Sequence, residues 1–146
     1  MAKRFIQTFE VSLKAFIVHD QRALLVQEAD TGFWELPGGR IDVGEERLPH
    51  ADILAREIAE ELGPDLRVSV GTAAVTWVRQ RPSDRVFTYL VARVCRIERG
   101  EMRLSDEHAA LRWTTPADWS ALTFPPLSDY RKALTQLWAL AAADGA

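Results

Sequence analysis

Arg56, Glu57, Glu60 and Glu61 place four charges within six residues, shortly after a Gly-Gly pair at 38 and 39. If residues 53–62 are helical, each residue turns about 100°, so the three glutamates fall within one arc of roughly 100°. Leu54, Ala55, Ile58 and Leu62 occupy a different arc and can pack into a core, leaving the acids on a supported face. Like charges three and four residues apart repel by roughly 0.2–0.5 kcal/mol per exposed pair. A hard divalent cation offsets that repulsion: Mg²⁺ prefers carboxylate oxygen, keeps several waters and bridges protein acids to substrate phosphates. Mn²⁺ takes similar ligands. Arg56, four residues before Glu60, can hold one acid in place. An isolated Glu-Glu pair would read as a solvated helix face, and an isolated Gly-Gly pair as an ordinary tight turn. In succession they suggest more, because glycines let a backbone carbonyl or amide approach a metal or a phosphate closely.

With these residues in view, segment 39–64 resembles the Nudix box. That motif runs Gly, five residues, Glu, seven residues, Arg-Glu, an aliphatic residue, any residue, Glu-Glu, any residue, Gly and an aliphatic residue. Gly39, Glu45, Arg56, Glu57, Ile58, Glu60, Glu61 and Gly63 fill its positions in order. Seven Gly or charged positions at roughly 7% each would agree by chance about once in 10⁸ trials. Two departures stand out: ten residues, Glu46 to Ala55, separate Glu45 from Arg56, and Pro64 takes the last aliphatic position. Pro64 after Gly63 suits a helix stop. The extra length lies near Leu48-Pro49-His50, ahead of the helix, where an insertion costs little loop entropy. It leaves open how Glu45 sits relative to the helical acids.

The resemblance implies roles. The Gly39 carbonyl, Glu60 and Glu61 would bind metal, Glu57 would bind metal or act as general base, Arg56 would orient the acids, and Glu45 would be their outer partner. In Ser105-Asp106-Glu107-His108, Glu107 matches the acidic loop residue that recurs in many Nudix enzymes as a metal ligand or base; the alternative is a solvated loop. His108 and His50 are expected at the surface or behind the ligands, since hard-metal sites use oxygen.

Other candidates come from the residues themselves. Arginines concentrate at 79, 81, 85, 93, 96, 99 and 103, and could clamp phosphates or simply keep strand edges charged. Arg40, next to the Gly-Gly pair, is the favoured phosphate contact. Phe33, Trp34, Trp77, Phe87 and Tyr89 could stack on a base or belong to the core, with Trp34 the favoured substrate contact.

The elements that must position these residues alternate between strand and helix. Ser12 to His19 and Arg22 to Glu28 read as a hairpin joined at His19-Asp20-Gln21. A short segment at Phe33 to Leu36 leads into the Gly-Gly loop and the acidic helix. Val68 to Arg79 and Arg85 to Ile97 read as strands around an Arg81–Asp84 turn, and Ala110 to Thr114 as another. Pro116 to Leu122 reads as a short helix, and Leu127 to Ala142 as a longer one with Leu127, Leu134, Trp138 and Ala141 near one face. This order resembles the Nudix fold, an α/β (α+β) architecture with a mixed β-sheet sandwiched between α-helices, over nearly the whole chain.

The 146 residues, 47% hydrophobic, suit one domain spanning 1–146. The net charge of −3 argues against a basic nucleic-acid binder. One cysteine, Cys95, excludes an intrachain disulfide and fits a buried thiol. MAKRFIQTFE has no apolar stretch of signal-peptide length, and the expected location is the cytoplasm. The resemblance implies a Mg²⁺-dependent pyrophosphohydrolase, with Mn²⁺ as substitute, acting on a small nucleoside diphosphate derivative. Nucleoside triphosphates, ADP-ribose, nucleotide sugars and dinucleoside polyphosphates are the candidates; neither a membrane nor a nucleic-acid partner is expected, and the chain would be a monomer or homodimer. The alternative is a noncatalytic Nudix-fold nucleotide sensor.

Overall fold

Strand β1 (Glu10–His19) sits between the molecule's two cores, and its alternation shows how they arise. Odd residues Leu13, Ala15 and Ile17 join one apolar cluster, while even residues Phe16 and Val18 join the other, as expected when successive side chains point to opposite faces. Strand β2 (Arg22–Glu28) repeats the pattern: Leu24 and Val26 against Ala23 and Leu25. The computed structural model describes residues 2–144. It has a seven-stranded mixed sheet covered on its two faces by different helices.

The remaining elements are β3 (Trp34–Glu35), β4 (Gly38–Arg40), α1 (His50–Leu62), β5 (Arg67–Gln80), β6 (Phe87–Arg99), β7 (His108–Thr114), α2 (Pro116–Trp119) and α3 (Tyr130–Ala143). The main strand order is β3-β2-β1-β6-β5, with β4 also on β1 and β7 also on β2. The β1–β6 pair is parallel and the others antiparallel. Helix α1 covers one face through Ile53, Leu54, Ile58 and Leu62. Helix α3 covers the other through Tyr130, Ala133, Leu134, Leu137 and Ala141. None of the described helices is long and apolar enough to cross a membrane.

The α3-side face changes character toward one end. Along β1, Phe16 and Val18 give way to Ser12 and Lys14; along β6, Val94, Ala92 and Leu90 give way to Thr88; along β5, Trp77 gives way to Arg79. The polar ends of these strands share a cavity. The site is therefore the stretch of this face that apolar side chains do not fill.

Several expectations hold. Asp20 and Gln21 have φ of 50° and 60°, the left-handed pair that a two-residue hairpin turn needs. Cys95 is buried, which pushes its thiol up to about 12. Others are corrected. Gly38 and Gly39 belong to a strand, β4, rather than a loop, because their lack of side chains lets them pair closely with Leu13 and Lys14. Gly38 has φ of 141°, and a Cβ there would run into the Leu13 carbonyl. Ala55 is exposed, and Ile53 takes the core position expected of it. Leu127 is exposed ahead of α3, held at φ of 54° in a turn, while Tyr130 heads the buried face. Helix α2 ends at Trp119, short of Leu122, which enters the core from beyond the helix. Of the two places expected for His108, burial excludes the surface and leaves the position behind the ligands; β7 pairs it with Glu28 of β2.

Candidate active site

Helix α1 divides its acids. Glu57 and Glu61 are 8% and 6% exposed, whereas Glu60 faces solvent. The Gly38 amide donates to Glu61 Oε2 at 2.9 Å, which fixes the carboxylate beside β4. Burial raises the Glu61 pKa to about 7, against the opposing pull of Lys14 and the Gly38 amide. Glu57 is also raised, first by burial, although Arg56 pulls it down. Its carboxylate lies where a Cβ on Gly39 would be, so only glycine allows this approach.

Arg56 organises the outer side. Its Nε and Nη2 donate to the two oxygens of Glu45, both at 2.7 Å, in a two-pronged pair. It also stands 3.0 Å from Glu57 and 3.2 Å from Glu60. The long gap before the helix therefore leaves Glu45 against Arg56. Turns absorb the added residues: the Glu45 amide bonds to the Asp42 carbonyl, and the Leu48 amide to the Glu45 carbonyl. Bonding to Arg56 holds the Glu45 carboxyl below its ordinary range. Replacing Arg56 by Lys keeps the charge but loses the fork. We expect it to lower denaturant-melt stability slightly and to lower kcat, as the carboxylates lose their common anchor.

A cavity of about 490 Å³ opens beside this cluster. Gly38, Gly39 and Glu61 line it from the acidic side, Lys14, Arg40, Arg79 and Arg81 supply cations, and Asp106 and Glu107 border it from the loop before β7. Glu57, Glu60, Arg56 and Glu45 stand behind Gly39 and are not among the lining residues. Arg40 lines the cavity but is engaged by Glu10 at 2.9 Å, and Arg81 reaches the same Glu10 at 3.3 Å. Trp34 is placed elsewhere, partly buried against the α3-side core. Among the described residues, no three Asp, Glu, His or Cys side chains already converge as a metal cage; Arg56 draws Glu60 outward.

The oxygen-only chemistry of Glu57 and Glu61, and the burial that opposes Glu61's charge, fit a hard cation that keeps part of its water shell. Sequence reasoning passed over Lys14, Glu35 and Thr88, which line the cavity; His108, expected at the surface or behind the ligands, lines it too. Lys14 and Thr88 offered one signal: each is a polar residue at an inward position of an otherwise apolar strand. His108 has a buried Nδ1 without a hydrogen-bond partner among the described residues, and burial lowers its pKa.

Comparison with known proteins agrees with this architecture. The NUDIX domain model matches residues 9–136. A MutT-like protein of Streptomyces ambofaciens is 36% identical over 111 residues, covering 75% of this chain and 66% of the relative. A putative 8-oxo-dGTP diphosphatase of Bacillus subtilis is 36% identical over 106 residues, covering 70% and 65%. The chain thus spans about two thirds of the length of these relatives. Among solved structures, an ADP-ribose pyrophosphatase from Streptococcus suis superposes with a TM-score of 0.66 at 26% identity, covering 92% of both chains. A UDP-X diphosphatase gives 0.74 at 20% identity, over 97% of this chain and 66% of that one, and shares the fold. With strand order, acidic helix and family match in agreement, the chain belongs to the NUDIX domain family.

Proposed function

We propose that this chain is a divalent-cation-dependent pyrophosphohydrolase that cleaves the diphosphate of a small nucleoside diphosphate derivative. One observation carries this reading: two buried carboxylates, Glu57 and Glu61, sit at the Gly38–Gly39 strand, beside a cavity whose other walls hold Lys14, Arg40, Arg79 and Arg81. An acid-poor cavity would repel no phosphate but would hold no metal; an all-acid one would repel its substrate. This cavity carries both signs: Lys14, Arg40, Arg79 and Arg81 line it together with Glu35, Glu61, Asp106 and Glu107.

Glu57, Glu61 and the Gly39 carbonyl would hold Mg²⁺ or Mn²⁺, with Glu60 able to join them from its exposed position. Such a cation, when bound, would supply positive charge against the negative charge that builds on the diphosphate as water attacks. Arg56 orients Glu57 and Glu60 while Glu45 fixes Arg56. Glu107, on the cavity wall, or Glu57 takes the proton of the attacking water. Arg40 and Arg81 meet phosphate oxygens. Trp34 touches substrate only if β3 shifts, since its ring packs on the core.

Relatives named for 8-oxo-dGTP and ADP-ribose support nucleoside triphosphates and ADP-ribose ahead of nucleotide sugars and dinucleoside polyphosphates. The partner is a small molecule, and the compartment proposed is the cytoplasm. Incubation with a panel of these compounds and Mg²⁺, with and without chelator, tests the reading. Chelator-sensitive release of a nucleoside monophosphate or of pyrophosphate is expected. Tight nucleotide binding without turnover would replace the enzyme with a sensor.

A further inference from the structure

On the cavity wall, near Glu61, three charged side chains from β1, β3 and β5 face one another without a hydrogen bond between them. Lys14 Nζ stands 3.8 Å from Glu35 Oε1, and Arg79 Nη1 stands 3.9 Å from Glu35 Oε2. Both separations exceed hydrogen-bond range. The side chains of Lys14, Glu35 and Arg79 are only 9%, 13% and 21% exposed, and all three line the cavity. Arg79 Nε is buried with no partner among the described residues. Buried charged groups normally have their hydrogen bonds filled. Here they are held slightly too far apart to fill one another's, which is the arrangement a polar ligand completes.

The order of the groups specifies that ligand. Each Glu35 oxygen faces a different cation, so the wall presents donor, acceptor, acceptor, donor. A phosphate would meet the Glu35 charge between the two cations and be repelled. Among nucleobase edges, guanine has one carbonyl acceptor followed by two adjacent N–H donors, the complement of a cation followed by a carboxylate. Adenine, hypoxanthine and uracil each offer only one ring or amino donor next to an acceptor, leaving a Glu35 oxygen unpaired, and cytosine offers one donor followed by two acceptors, which sets an acceptor against a Glu35 oxygen.

We propose that Glu35 is a specificity-determining residue that reads a guanine-type base, accepting N1–H and the 2-amino N–H while Lys14 or Arg79 donates to O6. This rests on the reading of the chain as a nucleotide pyrophosphohydrolase. Unpaired buried polar groups make such a site reject an analogue that lacks a donor.

The test compares kcat/KM of the full chain with Mg²⁺ for dGTP, dITP and dATP, and metal-free calorimetric binding of dGMP, dIMP and dAMP. dGTP is expected to exceed dITP and dATP by at least about tenfold, mainly through KM, because a base contact strengthens the ground state and the transition state alike. Glu35→Gln, whose amide places a donor against one guanine donor, is expected to bring the dGTP/dATP ratio of kcat/KM toward one. The dGTP/dITP ratio of the unmodified protein reads the same interaction if Glu35→Gln does not fold. Equal use of dGTP and dITP, or an unchanged preference in Glu35→Gln, overturns the proposal and leaves the hydrolase reading in place. If no nucleotide is cleaved, the hydrolase reading fails alone: a preference for dGMP over dIMP then supports the role of Glu35, and equal binding overturns it.

Discussion

Glu61→Gln is expected to lower kcat at saturating Mg²⁺ by at least about 10²-fold, the scale of losing a group that acts on the transition state. The same substitution is expected to stabilise the metal-free protein above neutral pH. Burial holds the Glu61 carboxyl at about 7, above its ordinary 4.5. An acid whose folded pKa is raised binds its proton more tightly when folded, so its contribution is present below the unfolded pKa and is lost as pH rises through the folded one. The loss runs from about pH 4.5 to about pH 7 and reaches about 3 kcal/mol at full ionisation. Glutamine cannot ionise, yet its carbonyl can still accept from the Gly38 amide. In chelator, the variant should melt above the unmodified protein at pH 8 and lose that advantage near pH 5. A variant of lower Tm at pH 8 would show that the Glu61 charge is compensated within the protein itself.

The second large effect is expected at Gly39, where a methyl group would occupy the position of the Glu57 carboxylate. A side-chain end can swing away more cheaply than a backbone, so Gly39→Ala should remain folded. The displaced Glu57 should then abandon its place beside β4, and kcat should fall by about 10²-fold or more. Gly38→Ala makes the contrast, because its Cβ would strike the Leu13 backbone at φ of 141°. That variant should lose stability before it loses chemistry. If Gly39→Ala kept full activity, the closeness of Glu57 to β4 would have no catalytic meaning.

The acidic helix was legible because its information is local: the spacing of Arg56, Glu57, Glu60 and Glu61 sets their angular positions whatever the rest of the chain does. The β1–β2 hairpin was legible for the same reason, in the two residues between its strands. What the helical wheel could not show is that Gly38 captures Glu61, since that depends on where β4 docks; the Arg56–Glu60 pair, four residues apart on one helix, was legible. Strand β4 itself escaped notice because three residues carry no periodicity and glycine disfavours a strand on propensity alone. The cavity wall was hidden more deeply. Lys14, Glu35, Arg79 and Thr88 come from four strands, and only the β3-β2-β1-β6-β5 order, with its parallel β1–β6 register, brings them together. His108, in a polar run, could be expected at the surface or behind the ligands, and only the folded β7 on β2 shows it buried.

The central claim, that the buried pair Glu57 and Glu61 beside Gly39 is a cation site, is tested most directly by calorimetric titration of Mn²⁺ into the metal-free protein without substrate. The unmodified chain is expected to bind with an affinity that Glu57→Gln and Glu61→Gln each weaken by at least about tenfold, or about 1.4 kcal/mol. Equal Mn²⁺ binding by all three folded proteins, or none by the unmodified chain, would contradict it.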